Sequence, residues 1–143
     1  MKIYLAGPMR DETDYNYRLF FEAAALLTMK GHEVVNPAHL DIQDGHSYWS
    51  PTDNRIVVVQ DWTIKSALRR DFHAITLDRE AIVLLPGWEG SYGANKELHF
   101  ADVIGLEVYT YVGDGELEKL SGDALEPTLT EPTGGRIERV GRH

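Results

Sequence analysis

The sequence predicts an α/β fold, a Rossmann-like (flavodoxin-like) open sheet of four or five mostly parallel strands with helices on both faces. Short apolar runs alternate with longer segments whose apolar residues recur at helical spacing. Each apolar run ends at a turn signal, such as Gly7-Pro8 or Asn36-Pro37. The run at residues 81–85 is apolar throughout, which is typical of a strand that is buried on both faces.

The first 37 residues predict a β-α-β unit. Lys2–Ala6 is the first strand, and Glu33–Val35 is a second strand parallel to it, because a short helical crossover joins the two. The helix between them has Asp14 as its expected N-cap and Gly31 just beyond its C-terminus. Its apolar stripe at i, i+3, i+4, i+7 and i+10 consists of Tyr17, Phe20, Phe21, Ala24 and Leu27.

The middle of the chain is less regular. Residues 38–60 contain an Asp-Gly and a Ser-Pro turn signal and predict a long loop over one end of the sheet, a common form of functional lid. Residues 56–59 are apolar and β-branched, which also allows a short extra strand there. Asp61 is the expected cap of the next helix. The apolar stripe of that helix consists of Ile64, Leu68, Phe72 and Ile75.

The last predicted elements of the sheet follow the strand at 81–85. A glycine-containing turn at residues 90–93 leads into a third helix at 94–104, which Gly105 ends. Residues 107–112 predict a fourth strand.

From Gly113 the composition changes, since the last 31 residues hold six Gly and two Pro. We therefore divide the chain into an α/β domain at 1–112 and a C-terminal extension at 113–143. Residues 116–120 predict one helical turn within the extension. We expect the extension to rest on its own domain or on a second copy of the chain, as in a homodimer or larger homo-oligomer.

The composition excludes several functional classes. The 143 residues include 14 Lys and Arg against 23 Asp and Glu, a net charge of −9, and no cysteine. This charge argues against a polynucleotide partner, because binding to the phosphate backbone needs basic patches. The lack of cysteine excludes thiol nucleophiles, disulfides and Cys-ligated zinc. No apolar run has the length of a signal peptide or a membrane span, so we expect a soluble, cytoplasmic protein without a membrane partner.

In an open parallel sheet, ligands bind at the carboxyl ends of the strands, so the residues after the strands are the first candidates for chemistry. Gly7 after the first strand allows close approach of the backbone to a ligand. Arg10 follows it, and an arginine fork suits a phosphate. The alternative is an ordinary turn with a solvated Arg10.

A second group of candidates lies at the start of the third helix. Ser91 and Gly93 occupy its N-terminus, where free N–H groups and the helix dipole favour an anion. Glu97 is i+3 from Ala94 and i−4 from Ala101, which places a carboxylate on the apolar stripe. We expect it to be ionised by the helix dipole and to act as a nucleophile. The alternative is a Glu at the edge of the stripe that bends into solvent.

Asp71 is a second acidic residue on an apolar stripe, since it is i+3 from Leu68 and i−4 from Ile75. Two such acids beside one crevice resemble the paired carboxylates of glycosyl-transfer enzymes. The alternative is an ion pair with Arg69 or Arg70.

Other features carry less weight. Trp88 is a candidate for stacking on a base, although a core Trp is equally consistent with its position, and Glu89 is a rival nucleophile on a looser turn. The histidines show no metal-ligand spacing, and neither the GxxxxGK[ST] loop nor the GxGxxG fingerprint is present. We therefore expect no metal and no cofactor.

The chain resembles the nucleoside 2-deoxyribosyltransferase superfamily from Lys2 to about Val112. It is most similar to phage and bacterial members described only as a domain of unknown function, and to the 2′-deoxynucleoside 5′-monophosphate N-glycosidases. KIYLAGPMR resembles the first strand and phosphate loop, HEVVNP the second strand, and Asp71 before AIVLLP an acidic residue ahead of an apolar strand. The most specific match is S-x-G-x-x-x-E-x-x-x-A, which consists of Ser91, Gly93, Glu97 and Ala101.

The resemblance implies a retaining mechanism. Glu97 would attack the anomeric carbon of deoxyribose and form a covalent ester, which water or a second base then opens. Tyr4 would hydrogen-bond and orient the Glu97 carboxylate. Asp71 would contact the sugar or help to protonate the departing base.

The resemblance also implies a phosphate site made of Arg10, Ser91 and the amides near Gly93. The chain departs from the family at two places. Pro8 stands where the glycosidases carry a Ser, and no asparagine lies beyond position 95 to match the C-terminal Asn of the transferases. Ser121 lies where the glycosidases contribute a Ser from the neighbouring subunit.

Together these features predict an N-glycosidase or deoxyribosyltransferase that acts on a 2′-deoxyribonucleoside 5′-monophosphate, a small-molecule partner. Two alternatives remain. One is a non-catalytic binder of a nucleotide-derived signal, and the other is an NAD-cleaving glycosidase. The identity of the base is left open.

Overall fold

A computed structural model describes residues 1–9, 12–59 and 64–120, with the side chain of residue 64 left aside. The strands are β1 (Lys2–Ala6), β2 (Glu33–Val35), β3 (Ser47–Ser50), β4 (Arg55–Val58), β5 (Ala81–Leu84), β6 (Glu107–Gly113) and β7 (Glu116–Lys119). The helices are α1 (Tyr17–Met29), α2 (Pro37–Gln43), α3 (Ile64–Thr76) and α4 (Tyr92–Val103), with short 3₁₀ turns at Thr13–Asn16 and Trp88–Gly90.

Five strands form one open sheet in the order β2-β1-β5-β6-β7. β1 pairs in parallel with β2 on one side and with β5 on the other, and β6 continues the parallel array. β7 is antiparallel to β6 and forms one edge of the sheet, and β2 forms the other. The expected α/β fold with a mostly parallel sheet is therefore confirmed.

Helices cover both faces of the sheet because successive side chains of each strand point to opposite faces. Ile3 and Leu5 of β1 pack in one apolar core with α1, through Phe20 and Leu27 among others. Tyr4, whose side chain points to the other face of the sheet, packs in a second core with α3 and α4.

Helix α1 begins two residues later than the Asp14 cap would place it. Asp14 and its next two neighbours have φ between 50° and 59°, in the left-handed region, and α1 begins at Tyr17. The carboxylate of Asp14 accepts a hydrogen bond from the backbone N–H of Ile56 at 3.3 Å rather than from the start of the helix. The expected N-cap is thus wrong, whereas Gly31 follows the helix with φ +97°, as expected.

The long loop expected at residues 38–60 is wrong, because helix α2 and the β3–β4 hairpin occupy most of it. Asn36 caps α2 by accepting a hydrogen bond from the backbone N–H of Ala38 at 3.0 Å, and Pro37 occupies the first turn. The extra strand allowed at 56–59 is present as β4, which pairs only with β3 among the described residues. The expected cap at Asp61 lies outside the described residues.

The helical turn expected at residues 116–120 is also wrong. Asp114 and Gly115 have φ of 53° and 78°, a two-residue turn that reverses the chain and pairs Glu116–Lys119 with β6. The sheet therefore continues past residue 112, and residues 121–143 lie outside the described part. No helix in the described part of the chain combines the length and apolar character needed to span a bilayer.

Gly7 is the glycine whose replacement tests the packing of the first turn. A Cβ at Gly7 would lie 2.9 Å from Leu85 Cβ, closer than carbon atoms pack, whereas a Cβ at Gly93 meets no atom within 4 Å. We expect Gly7→Ala to lower the free energy of unfolding by about 1–3 kcal/mol. Gly93→Ala, inside α4, is the matched control and should be neutral or stabilising by up to ~1 kcal/mol. Urea unfolding measures both, and equal stabilities would contradict the close contact.

Candidate active site

A cleft of about 400 Å³ opens at the carboxyl ends of β1 and β5. Its walls are the loop after β1, which includes Gly7, the inner face of α3, and the turn that leads into α4. Since β2 and β5 flank β1 on opposite sides, this is the point at which the strand order reverses, the usual ligand site of such sheets. A cleft of this volume is in the range that holds small molecules.

Glu97 lies at the bottom of the cleft with only 5 % of its surface exposed. Its Oε2 accepts a hydrogen bond of 2.9 Å from the hydroxyl of Tyr4, which is fully buried on β1. The alternative in which Glu97 bends into solvent is therefore wrong. The sheet and α4 hold this carboxyl in place from two sides.

Asp71 lines the cleft from α3 and is also 5 % exposed. Its carboxyl is hydrogen-bonded to that of Glu97. Arg70 donates to Asp71 Oδ1 from Nε at 2.9 Å and from Nη2 at 2.6 Å. Asp71 thus forms the expected ion pair with Arg70, while its role as one of two glycosyl-transfer carboxylates stays a prediction.

The charge state of the pair differs from the expected ionised Glu97. Burial, followed by repulsion from Asp71 and a hydrogen bond to it, raises the pKa of Glu97 well above its ordinary value. Burial also raises the pKa of Asp71, and the charge of Arg70 opposes that rise. Both shifts therefore favour a form of the pair that holds one proton between the two carboxyls. Burial raises the pKa of Tyr4 as well, so its hydroxyl remains a donor.

The other predicted residues are placed as follows. Gly7, Ser91 and Gly93 all line the cleft. The Oγ of Ser91 accepts a hydrogen bond from the backbone N–H of Ala94 at 3.2 Å and so caps α4. Trp88 is 6 % exposed and packs in the core beside Tyr4 rather than lining the cleft. Glu89 is exposed, and Arg10 and Ser121 lie outside the described residues.

Sequence reasoning missed Asp41, a third buried acid on the far side of Arg70. It lies on α2, and its Oδ1 is 2.7 Å from Arg70 Nη1. Asp41 is i+3 from the buried Ala38, but Gly45 stands four residues on, so only half of the signal that singled out Asp71 and Glu97 is present. The signal was hidden because residues 38–60 were interpreted as a loop. Among the described residues, no three His, Asp or Glu side chains are grouped as metal ligands would be.

The buried Glu97 should destabilise the folded protein above acid pH. Its folded-state pKa is raised, so its contribution to stability is complete below the unfolded-state pKa and is lost as pH rises through the folded-state pKa. Glutamine does not titrate, so we expect Glu97→Gln to raise Tm by a few degrees at neutral pH, with ~1 kcal/mol giving about 4 °C. The gain should shrink toward acid pH. Glu89→Gln is the exposed control, and a pH-independent difference in thermal melting would contradict the raised pKa.

The comparisons with known proteins give one match. Residues 1–110 match a family model described as Domain of unknown function (DUF4406). No curated protein and no solved structure gives a significant match to the chain. The matched region contains Tyr4, Asp71 and Glu97 and spans most of the 143 residues. The chain belongs to the DUF4406 family.

Proposed function

We propose that the protein cleaves the N-glycosidic bond of a 2′-deoxyribonucleoside 5′-monophosphate through a covalent deoxyribosyl–Glu97 intermediate. The observation that carries this proposal is the buried pair of Glu97 and Asp71, with Tyr4 bonded to the Glu97 oxygen, at the bottom of a cleft at the switch point. The resemblance to nucleoside 2-deoxyribosyltransferases and nucleotide N-glycosidases supports the substrate class.

The shared proton supplies both halves of the first step. As the C1′–N bond breaks, its electron pair goes to the departing base, which takes the proton of the pair from Asp71. Glu97 passes its own proton to Asp71 and its freed oxygen bonds to C1′. Tyr4 holds the other Glu97 oxygen by its hydrogen bond. One proton thus leaves with the base, and both carboxyls end without one.

The second step reverses these roles. A water, or a second base, attacks C1′ and breaks the ester bond, whose electron pair returns to Glu97. Asp71 takes the proton released by the attacking group, which restores the pair. Two displacements at the same carbon retain its configuration. If water attacks, the reaction is hydrolysis, and if a second base attacks, it is transfer of the deoxyribosyl group.

The mouth of the cleft is suited to an anionic group on the sugar. The N-terminus of α4 opens into the cleft at Ser91 and Gly93. The Ser91 oxygen already accepts the capping bond, which leaves its hydroxyl hydrogen to donate to a phosphate oxygen. Arg10, which lies outside the described residues, would complete the proposed phosphate site as the resemblance implies. This arrangement supports a monophosphate rather than an uncharged nucleoside.

Loss of the nucleophile gives the direct test. We expect the wild-type protein to release free base from at least one of the deoxynucleoside 5′-monophosphates, and Glu97→Gln to lower kcat by about a thousandfold or more. Chromatography measures the base, and mass spectrometry of a slow substrate should find the sugar phosphate on the Glu97 peptide. Glu89→Gln is the matched control and should retain wild-type rates.

The alternatives give different outcomes in the same assay. Tight nucleotide binding that survives Glu97→Gln, with no base released, would indicate a non-catalytic binder. Nicotinamide released from NAD in place of base from nucleotides would indicate the NAD-cleaving class. A second base in the reaction separates transfer from hydrolysis.

The pH profile tests the shared proton. We expect a bell-shaped kcat/KM, because the active form of the pair holds one proton. Tyr4→Phe removes a hydrogen bond that lowers the pKa of Glu97, so the basic limb should move up by about one pH unit. Asp71→Asn removes a negative charge that raises the pKa of Glu97. In this variant Glu97 is the one carboxyl of the pair that still ionises. The residual activity, lower by about 10²–10⁴-fold, should rise with pH to a plateau, and an unchanged bell in this variant would contradict the mechanism.

A further inference from the structure

Arg70 links the Asp71–Glu97 pair to Asp41, a buried carboxylate outside the cleft. Asp41 is 2 % exposed on α2, and its Oδ1 lies 2.7 Å from Arg70 Nη1. A buried ion pair is often no more stabilising than apolar residues of similar volume. Fold stability alone therefore does not account for an aspartate at this position.

The guanidinium of Arg70 faces three carboxylates. Nε and Nη2 donate to Asp71 Oδ1, whereas Nη1 forms an ion pair with Asp41 Oδ1 at 2.7 Å and donates a longer hydrogen bond of 3.4 Å to the more exposed Asp44 Oδ2. The group is planar and its donors have fixed directions. A carboxylate that fixes the Nη1 end therefore fixes the edge that Arg70 presents to Asp71.

Asp41 is itself held by helix α1. The hydroxyl of Tyr17, on α1, donates to Asp41 Oδ2 at 2.7 Å. The same hydroxyl lies 2.7 Å from Ser47 Oγ on β3, so it joins Asp41 to the hairpin. Oδ2 of Asp41 thus accepts the hydrogen bond from Tyr17, and Oδ1 contacts Arg70.

Four groups on four elements act on the charge of Asp71: Arg70 from α3, Glu97 from α4, Tyr4 from β1 and Asp41 from α2. Arg70 lowers the pKa of Asp71 by its charge and its hydrogen bonds. Asp41 acts in two opposite ways. Its own negative charge raises the pKa of Asp71, whereas the Arg70 orientation that it fixes lowers this pKa.

We propose that Asp41 is a positioning residue for the Asp71–Glu97 pair, which it serves by orienting the Arg70 fork so that Asp71 carries the negative charge. The inference rests on the proposed function for its role in catalysis. The orientation of Arg70 is a property of the free protein and is measurable without substrate.

Two variants of Asp41 separate charge from orientation. Asp41→Asn removes the charge and keeps an oxygen for Arg70 Nη1, so the first ionisation of the pair should move to lower pH. Asp41→Leu removes the charge and the oxygen, so the fork loses its fixed end and the first ionisation should move up by about one pH unit. Carboxyl ¹³C NMR of the free protein measures both midpoints. A downward shift in both variants would show that Asp41 acts only as a charge and would overturn the proposal.

Arg70→Lys gives a test that does not depend on how well Asp41→Leu folds. Lysine keeps the charge but lacks the fork, so we expect the first ionisation of the pair to move up as in Asp41→Leu. A wild-type midpoint in Arg70→Lys would overturn the proposal. Asp44→Asn is the matched control, because it removes a partly exposed carboxylate near the same nitrogen, and its midpoint should equal that of the wild type.

The pH dependence of kcat/KM tests whether the shifted ionisation of the pair affects the reaction. In Asp41→Leu and Arg70→Lys the acid limb of kcat/KM should move up with the NMR midpoint, while Asp44→Asn keeps the wild-type profile. An unmoved midpoint in a protein that turns over would refute the inference and leave the function standing. A moved midpoint in a protein that releases no base from any nucleotide would refute the function and leave the inference about the pair standing.

Discussion

The hydrogen bond between the carboxyl groups of Asp71 and Glu97 is the constraint on which the rest of the site depends. Two buried acids this close cannot both ionise at ordinary pH, so one proton is trapped between them. The pair also requires helices α3 and α4 to lie side by side. The rings of Phe72 and Phe100 stack between those helices with centroids 4.7 Å apart and hold them together. The contact between α3 and α4 therefore carries both the packing of the two rings and the shared proton of the two carboxyls.

The sheet delivers the partners of this pair from different parts of the chain. Tyr4 reaches Glu97 because alternate residues of β1 face α4, and the order of the strands puts β1 beside β5 at the mouth of the cleft. Arg70 precedes Asp71 in the sequence but turns toward α2, where Asp41 binds it. The cleft wall is thus made by β1, α3 and α4, and its electrostatic support by α2 and the hairpin behind it.

The sequence predicts the parts of this molecule in which one physical signal dominates. The continuous apolar run at 81–85 and the helical stripes identify the sheet, and acids on those stripes identify Glu97 and Asp71. The short elements α2 and β3 are not predicted, because neither is long enough to show a periodic pattern of apolar residues. The charge of Glu97 is also mispredicted from the helix dipole, because burial and a second carboxylate outweigh partial charges at a helix end. Tyr4 looks like an ordinary core residue, so only the resemblance gave it a role.

The hairpin made of β3 and β4 stands apart from the main sheet. Its turn at residues 51–54 is exposed, and its ties to the rest of the described chain include the Asp14 bond and the contact between Tyr17 and Ser47. A change in the length of that turn leaves the register of the five-stranded sheet untouched. The exposed tip of the hairpin can therefore change in length without disturbing the sheet, while the base of the hairpin is anchored through Ser47 to the network around Arg70. One short element thus combines a segment open to variation with a segment restrained by the site.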